Sequence, residues 1–548
     1  MKLKRSIVAP VAVAVTALVT GGWFLQKGMG QERNVYFQAR LFDEVLHRVS
    51  DSFVEQEDPS KLYRFAIDGM LQELGDPHSV FMDPKEYEDL RIKTQGEYGG
   101  LGIQIAKRDG WITVVAPLPG TPADRAGMQA GDAIIEVNGE SAKGWSEDQA
   151  VAKLRGPKGS AADLKVLRPG MDDPIPFHVV REEIHVRSVP AAYMLEPGVG
   201  YVNLTVFSES STDELRQAIN RLRGQGMKQL VLDLRYNPGG LLDQGVSIGD
   251  LFLTKGQVVS ETRSRVAGQS QKYPAVDGDE FPGMPMVVLV NPYTASASEI
   301  LAGALQDHDR ALVLGQTSYG KGSVQTLFPI SGGNWLKLTT ARWYTPSGRS
   351  IQKPYGIGTH DDDGEPIDSV AADSAAKPIY HTDSGRKVLG GGGITPDLIV
   401  EPDTFTTAEK AFLQALKQNG SAYTDTRFAY SVAYVHKHPE LERRFSVTPQ
   451  MLEEFYSALA QKGVKVDRAV YNGASTEIAR EIGIEIARAK WGEEAVRQRL
   501  NAEDPQVRAA VEVLRRAPSP QALFAAAQRY AAANPTVKEA TAEQKPPR

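Results

Sequence analysis

Three polar residues could carry chemistry together: Ser296 in the segment YTASASEI, then Lys321 and Gln325 in SYGKGSVQ. The apolar run PMVVLV (285–290) leads into Ser296 and a helical pattern spans Glu299 to Gln306, so the serine sits at a strand-to-helix junction. A serine at such a junction is exposed, and the amides that open the helix are unpaired and can hold an oxyanion. Lys321 lies in a glycine-flanked loop. A lysine has an ordinary pKa of about 10.4 and serves as a general base only where burial lowers it towards neutrality. The same residues have a plainer reading. Ser296-Ala-Ser-Glu299 is also a capping box, and a serine before a helix is usually only a cap.

Wider motifs shift that balance. T-A-S-A-S-E-I-L-A-G-A-L-Q-D (294–307) and G-Q-T-S-Y-G-K-G-S-V-Q (315–325) resemble the carboxy-terminal processing proteases, also called tail-specific proteases. So do D-L-R-Y-N-P-G-G-L-L (233–242), Y-T-P-S-G-R-S-I-Q (344–352), G-G-L-G-I (99–103) and G-I-T-P-D (393–397). The motifs follow the family's order. The resemblance implies a serine peptidase with Ser296 as nucleophile, Ser298 being the rival two positions on. Lys321 would be the general base and then the acid, and Gln325 would orient it. The Ala297 N–H would be one oxyanion donor, and a second amide would come from the Asn237-Pro-Gly-Gly turn, where sequence does not separate Gly239 from Gly240. The implied reaction is endoproteolysis through an acyl-enzyme, with no cofactor and no metal.

Other chemistries find little support. His308 invites a Ser/His pairing, but Gln-Asp-His-Asp-Arg reads as a solvated charged loop. The chain has no HExxH, no cysteine and no Walker A loop, so a metalloprotease, a thiol nucleophile and ATP-driven unfolding are not expected. The substrate should then be a flexible or unfolded polypeptide. The alternative from another class is a PDZ scaffold that is catalytically silent, or an enzyme silent until a partner activates it.

The elements that must position these residues fall into successive blocks, and the fold class is multidomain α/β. Residues 34–93 read as an N-terminal helical segment, with Leu41, Val45, Val49 and Phe53 at four-residue spacing. His78 falls in a helix break and suits a turn. Residues 94–184 carry short strands between Gly/Pro turns and resemble a PDZ domain, in which Gly100, Leu101, Gly102 and Ile103 would receive a peptide C-terminus by β-augmentation. Arg168 ends that block; in the family this place can couple the PDZ domain to the active site, while an exposed arginine beside a turn is the plainer expectation. Residues 185–402 alternate strand and helix, and the resemblance implies a ClpP/crotonase-like ββα protease core. Within them 359–377 is an acidic insertion. Residues 403–534 read as a C-terminal helical extension and 535–548 as a disordered tail.

At 548 residues, with a net charge of −6, the chain is an ordinary multidomain globular protein with no nucleic-acid partner expected. MKLKR precedes an uncharged run from Ile7 to Leu25, close to the roughly 20 residues that span a membrane. Residues 1–30 are therefore expected to be a signal sequence or, preferably, an uncleaved single-pass anchor. The basic residues lie on its amino side, which places the enzyme outside the cytoplasm, on the periplasmic face of the inner membrane. Expected partners are polypeptides with free apolar C-termini, an activating adaptor, and further copies of the chain in a homo-oligomer.

Overall fold

The computed structural model describes residues 35–353 and 377–539. The anchor reading (1–30) lies outside the described residues, as does nearly all of the acidic insertion. Among the described residues no helix is long and apolar enough to cross a membrane.

The chain forms two units, one of residues up to Phe81 together with 327–338, the other of the remainder. In the first, helices Val35–Ser52 and Pro59–Gln72 pair. Asp58 caps the second of them by accepting from the Ser60 N–H at 2.9 Å. The four-spaced apolar stripe is present but outward: Leu41, Val45, Val49 and Phe53 are all exposed.

The second unit is built on a seven-stranded sheet. Val199–Asn203, Gln229–Asp233, Met286–Val290, Leu312–Gly315 and Leu398–Ile399 run parallel in that order. The strand Ala191–Glu196 closes one edge antiparallel. The central strands read as continuous apolar runs because both faces are covered. On one face Leu230, Leu232, Met286 and Val288 meet helices Ser211–Gly224, Leu242–Asp250 and Ala297–Asp307. On the other, Val231, Val287, Leu289 and Leu312 meet Val507, Ala510, Val513 and Leu514 of the helix Pro505–Arg515, and Leu523 and Ala526 of Ala522–Ala533.

That second face changes the meaning of the C-terminal block. Residues 403–534 are helical as expected, yet the last helices are half the cover of the protease core. The stretch read as a disordered tail also begins with a strand, since Lys538–Glu539 adds antiparallel to Leu398–Ile399. Alternating strand side chains present two apolar faces, and an amphipathic helix distant in sequence satisfies the second one.

Residues 407–503 pack around an aromatic core, with Tyr423 edge-on to Phe455 at 5.7 Å. Their helix Gly420–Lys437 also docks on the PDZ-like domain. Arg108 donates to Asp425 at 2.6 Å and lies over the Phe428 ring at 4.3 Å, while Phe428 and Val432 pack with Ala130. In that domain Ile103–Arg108 is the edge strand of a six-stranded sheet, and the Glu147 carboxylate accepts its Lys107 N–H at 2.9 Å.

If the last helices are structural, Leu514→Ala should cost about 2–5 kcal/mol. Equilibrium urea unfolding would show this as a lowered midpoint for the protease core; an unchanged midpoint would mark the helices as an appendage.

Candidate active site

Ser296 is where the strand Met286–Val290 turns into the helix Ala297–Asp307. Its backbone is at φ 57° and ψ −117°, a region that costs a non-glycine residue on the order of 1–3 kcal/mol. Such a strained strand-to-helix turn lifts a nucleophile clear of the sheet. The Glu299 N–H goes to the Ser296 carbonyl at 2.8 Å. Ser296 is half-buried, whereas Ser298 is fully buried and donates its hydroxyl to the Asn237 carbonyl at 3.0 Å.

Glu299 holds the site together, a role that its place in a capping box does not reveal. Its buried carboxylate accepts the Ser296 N–H at 2.8 Å and the Lys321 N–H at 2.9 Å on the same oxygen. These two bonds bring the amide nitrogens of Ser296 and Lys321 within about 6 Å of each other. The other oxygen takes the Ser318 hydroxyl at 2.5 Å and the Gly320 N–H at 2.7 Å. Burial pushes this carboxyl above its ordinary value, against the four hydrogen bonds that favour its ionised form.

Lys321 is half-buried, and its carbonyl accepts the Trp343 indole N–H at 2.9 Å. Gln325 lies on the strand Ser323–Pro329. Its Nε2 donates to Ser323 at 2.9 Å and Thr339 at 3.1 Å.

The Asn237-Pro-Gly-Gly turn packs directly on Ser296. A Cβ on Gly239 would sit 2.8 Å from the Ser296 Cβ and 2.8 Å from the Ala297 nitrogen, so only glycine fits. The Gly239 N–H is taken by the Asn237 side chain at 2.9 Å. Gly240 pairs in parallel with Phe207, whose N–H bonds to the Gly239 carbonyl at 2.9 Å and whose carbonyl accepts the Leu241 N–H at 2.8 Å. In that pattern the N–H of Gly240 itself points away from Phe207.

The remaining predicted residues divide. In the PDZ-like domain Gly100 pairs with Glu182, and Ile103 opens the edge strand. Leu101 is a core residue at 2% exposure. A Cβ on Gly102 would meet the Thr121 Cβ at 2.3 Å. Arg168 is not the exposed arginine that its place by a turn suggests. It donates to both oxygens of fully buried Asp132, at 2.7 and 2.8 Å, and to the Gly127 carbonyl at 3.0 Å. His308 is not solvated either, for its side chain is only 8% exposed. One ring nitrogen contacts Asp383 at 2.7 Å and the other lies 2.8 Å from the Val258 carbonyl, so neither is turned to Ser296. Among the described residues no cluster of three or more His, Cys, Asp or Glu could hold a metal.

Residues 198–362 match peptidase family S41, 89–167 match the PDZ domain, and 26–86 match the N-terminal domain of the activating protease CtpB. A carboxy-terminal-processing protease of Bartonella bacilliformis is 44% identical over 60% of this chain and 75% of its own length. CtpA of Bacillus subtilis is 35% identical over 63% of this chain and 73% of its own. CtpB of the same organism is 36% identical over 56% and 64%. The chain belongs to the carboxy-terminal processing peptidases, serine proteases of family S41.

Glu299→Gln would aim an amide NH2 at two donors and should lower cleavage at least tenfold. It should also cost about 1–3 kcal/mol of stability. Because the folded carboxyl is raised, its stabilising contribution is full below its unfolded pKa of about 4.3 and is lost as pH rises through the folded value. The parent's advantage over Glu299→Gln in urea unfolding should therefore be larger at pH 4 than at pH 7.

Proposed function

We propose that Ser296 attacks a backbone carbonyl of a flexible polypeptide while Lys321 takes its proton, and that Lys321 then protonates the leaving amine. The observation that carries this is the Glu299 carboxylate, which binds the amides of both residues and so fixes the serine turn to the lysine loop. Engagement of the Ser298 hydroxyl by Asn237 supports Ser296 as the nucleophile over its neighbour. The oxyanion forms opposite the Ala297 N–H and one glycine amide. We assign that amide to Gly240, since Asn237 already occupies the Gly239 N–H. Gln325, with its Nε2 turned to Ser323 and Thr339, offers its carbonyl oxygen to orient the lysine ammonium.

Substrates are recognised by free, apolar C-termini at the PDZ domain, as an added strand on Ile103–Arg108 beside the Gly100-Leu101-Gly102 loop. The enzyme acts in the cell envelope, outside the cytoplasm, a reading supported by MKLKR and the uncharged run after it. Self-association accounts for the exposed stripe on Val35–Ser52, whose apolar residues would otherwise face water. An activating adaptor is compatible with this scheme, gating the same site.

Purified protein should cleave an unfolded substrate that ends in an apolar residue, and Ser296→Ala and Lys321→Ala should each lower kcat more than 100-fold. Amidating the substrate's C-terminus should raise KM while leaving kcat within about twofold. Full activity in Ser296→Ala would refute the assigned nucleophile, and an inert parent that cleaves only with an added envelope extract would favour the partner-activated form.

A further inference from the structure

The oxyanion turn is anchored from outside the part of the chain that matches the protease family. Arg235 directly precedes Tyr236 and Asn237, and its guanidinium is only 11% exposed. One edge is bidentate on Asp233, at 3.0 and 2.8 Å, and Asp233 also accepts the Tyr201 hydroxyl at 2.7 Å. The remaining nitrogen, Nη1, is held by the C-terminal block: it donates to Asp504 at 2.6 Å and to Gln506 at 2.8 Å. Those acceptors are fixed in turn. Asp504 caps the helix Pro505–Arg515 through the N–H groups of Gln506 and Val507, and the Gln506 amide donates to the Val400 carbonyl at 2.7 Å.

The turn after Arg235 needs holding. Tyr236 is at φ 61°, a left-handed conformation that a bulky residue seldom adopts. Next to it, the Asn237 carbonyl accepts the Ala295 N–H at 3.0 Å and the Ser298 hydroxyl at 3.0 Å. A strained residue is therefore fixed on one side by the nucleophile turn and on the other by Arg235. A buried ion pair is poor evidence of added stability, since apolar packing would do as well. Its planar, multidentate geometry is a means of setting position.

We propose that Asp504 and Gln506 are positioning residues for proteolysis, holding the oxyanion turn in register through Arg235. The C-terminal block is thus part of the catalytic machinery's frame as well as the cover of the sheet. The proposal rests on the assignment of this turn as an oxyanion donor. Displacing a catalytic donor by about 1 Å can cost on the order of 100-fold in rate, so a modest shift of Arg235 is enough to be read kinetically.

The test is Asp504→Asn in the full chain, which keeps the volume and the helix cap but removes the charge that faces Arg235. Asp504→Ser keeps the cap with a shorter side chain and is the second variant. We expect kcat to fall about tenfold with KM within twofold. Affinity for a peptide aldehyde, which binds as a tetrahedral adduct, should fall in parallel. Affinity for the uncleaved peptide, measured with Ser296→Ala added, should not change, and the melting midpoint should stay within a few degrees. A folded Asp504→Asn or Asp504→Ser enzyme with unchanged kcat overturns the proposal while leaving the Ser/Lys mechanism standing. So does an equal loss of peptide and aldehyde affinity. A parent enzyme that keeps its activity after Ser296→Ala overturns both.

Discussion

The site depends on one buried carboxylate. Glu299 sits in the first turn of the helix after Ser296, and its two oxygens accept from Ser296, Ser318, Gly320 and Lys321. A buried carboxylate without partners would be costly, and this one is satisfied by three backbone amides and a hydroxyl. The bonds close a loop of chain from the serine to the lysine and leave little freedom for either backbone. They also explain how Ser296 can persist at a positive φ: the N–H preceding its strained torsion is pinned, and its carbonyl is taken by the helix.

Around that carboxylate the sheet works as a rigid base. The Asn237-Pro-Gly-Gly turn leaves the strand Gln229–Asp233 and the Ser296 turn leaves its parallel neighbour Met286–Val290, so their ends emerge side by side. Ligands and reacting groups in open α/β sheets gather at such carboxyl ends. Asn237 stitches the two turns, and Arg235, two residues before it, ties them to the helix that covers the sheet's second face. Earlier in the same C-terminal block, Asp425 and Phe428 grip Arg108 of the PDZ domain. One continuous set of helices therefore touches both the peptide-binding module and the frame of the active site.

Much of this was legible in the sequence, for reasons that can be named. Ser296 and Lys321 stood out because glycines and small residues crowd around them and because their motifs resemble those of a known family; what the structure adds is that their amides meet at one carboxylate. The sheet and the helices on its first face were visible as apolar strands alternating with helices, whereas the cover of its second face, Pro505–Arg515 and Ala522–Ala533, read only as an extension. The wider role of Glu299 was not, since a Glu three residues after a serine is what a capping box looks like. Only the fold brings Gly320 and Lys321 to the same carboxylate. The strand at Lys538–Glu539 was hidden because two charged residues at a sheet edge carry no apolar alternation. His308 read as solvated because its sequence neighbours are charged, yet Asp383, far along the chain, folds over it. Arg168 likewise has its partner in Asp132, on a different loop of the same domain.

The central claim is that Glu299 holds Ser296, and not Ser298, in the attacking position. The most direct measurement is to trap the enzyme with a peptidyl fluorophosphonate and map the modified serine by mass spectrometry, in the parent and in Glu299→Ala. The account predicts a single adduct on Ser296 in the parent, and at least tenfold slower labelling of the same residue once Glu299 is removed. An adduct on Ser298, or labelling of Ser296 at the parent's rate in Glu299→Ala, would contradict it.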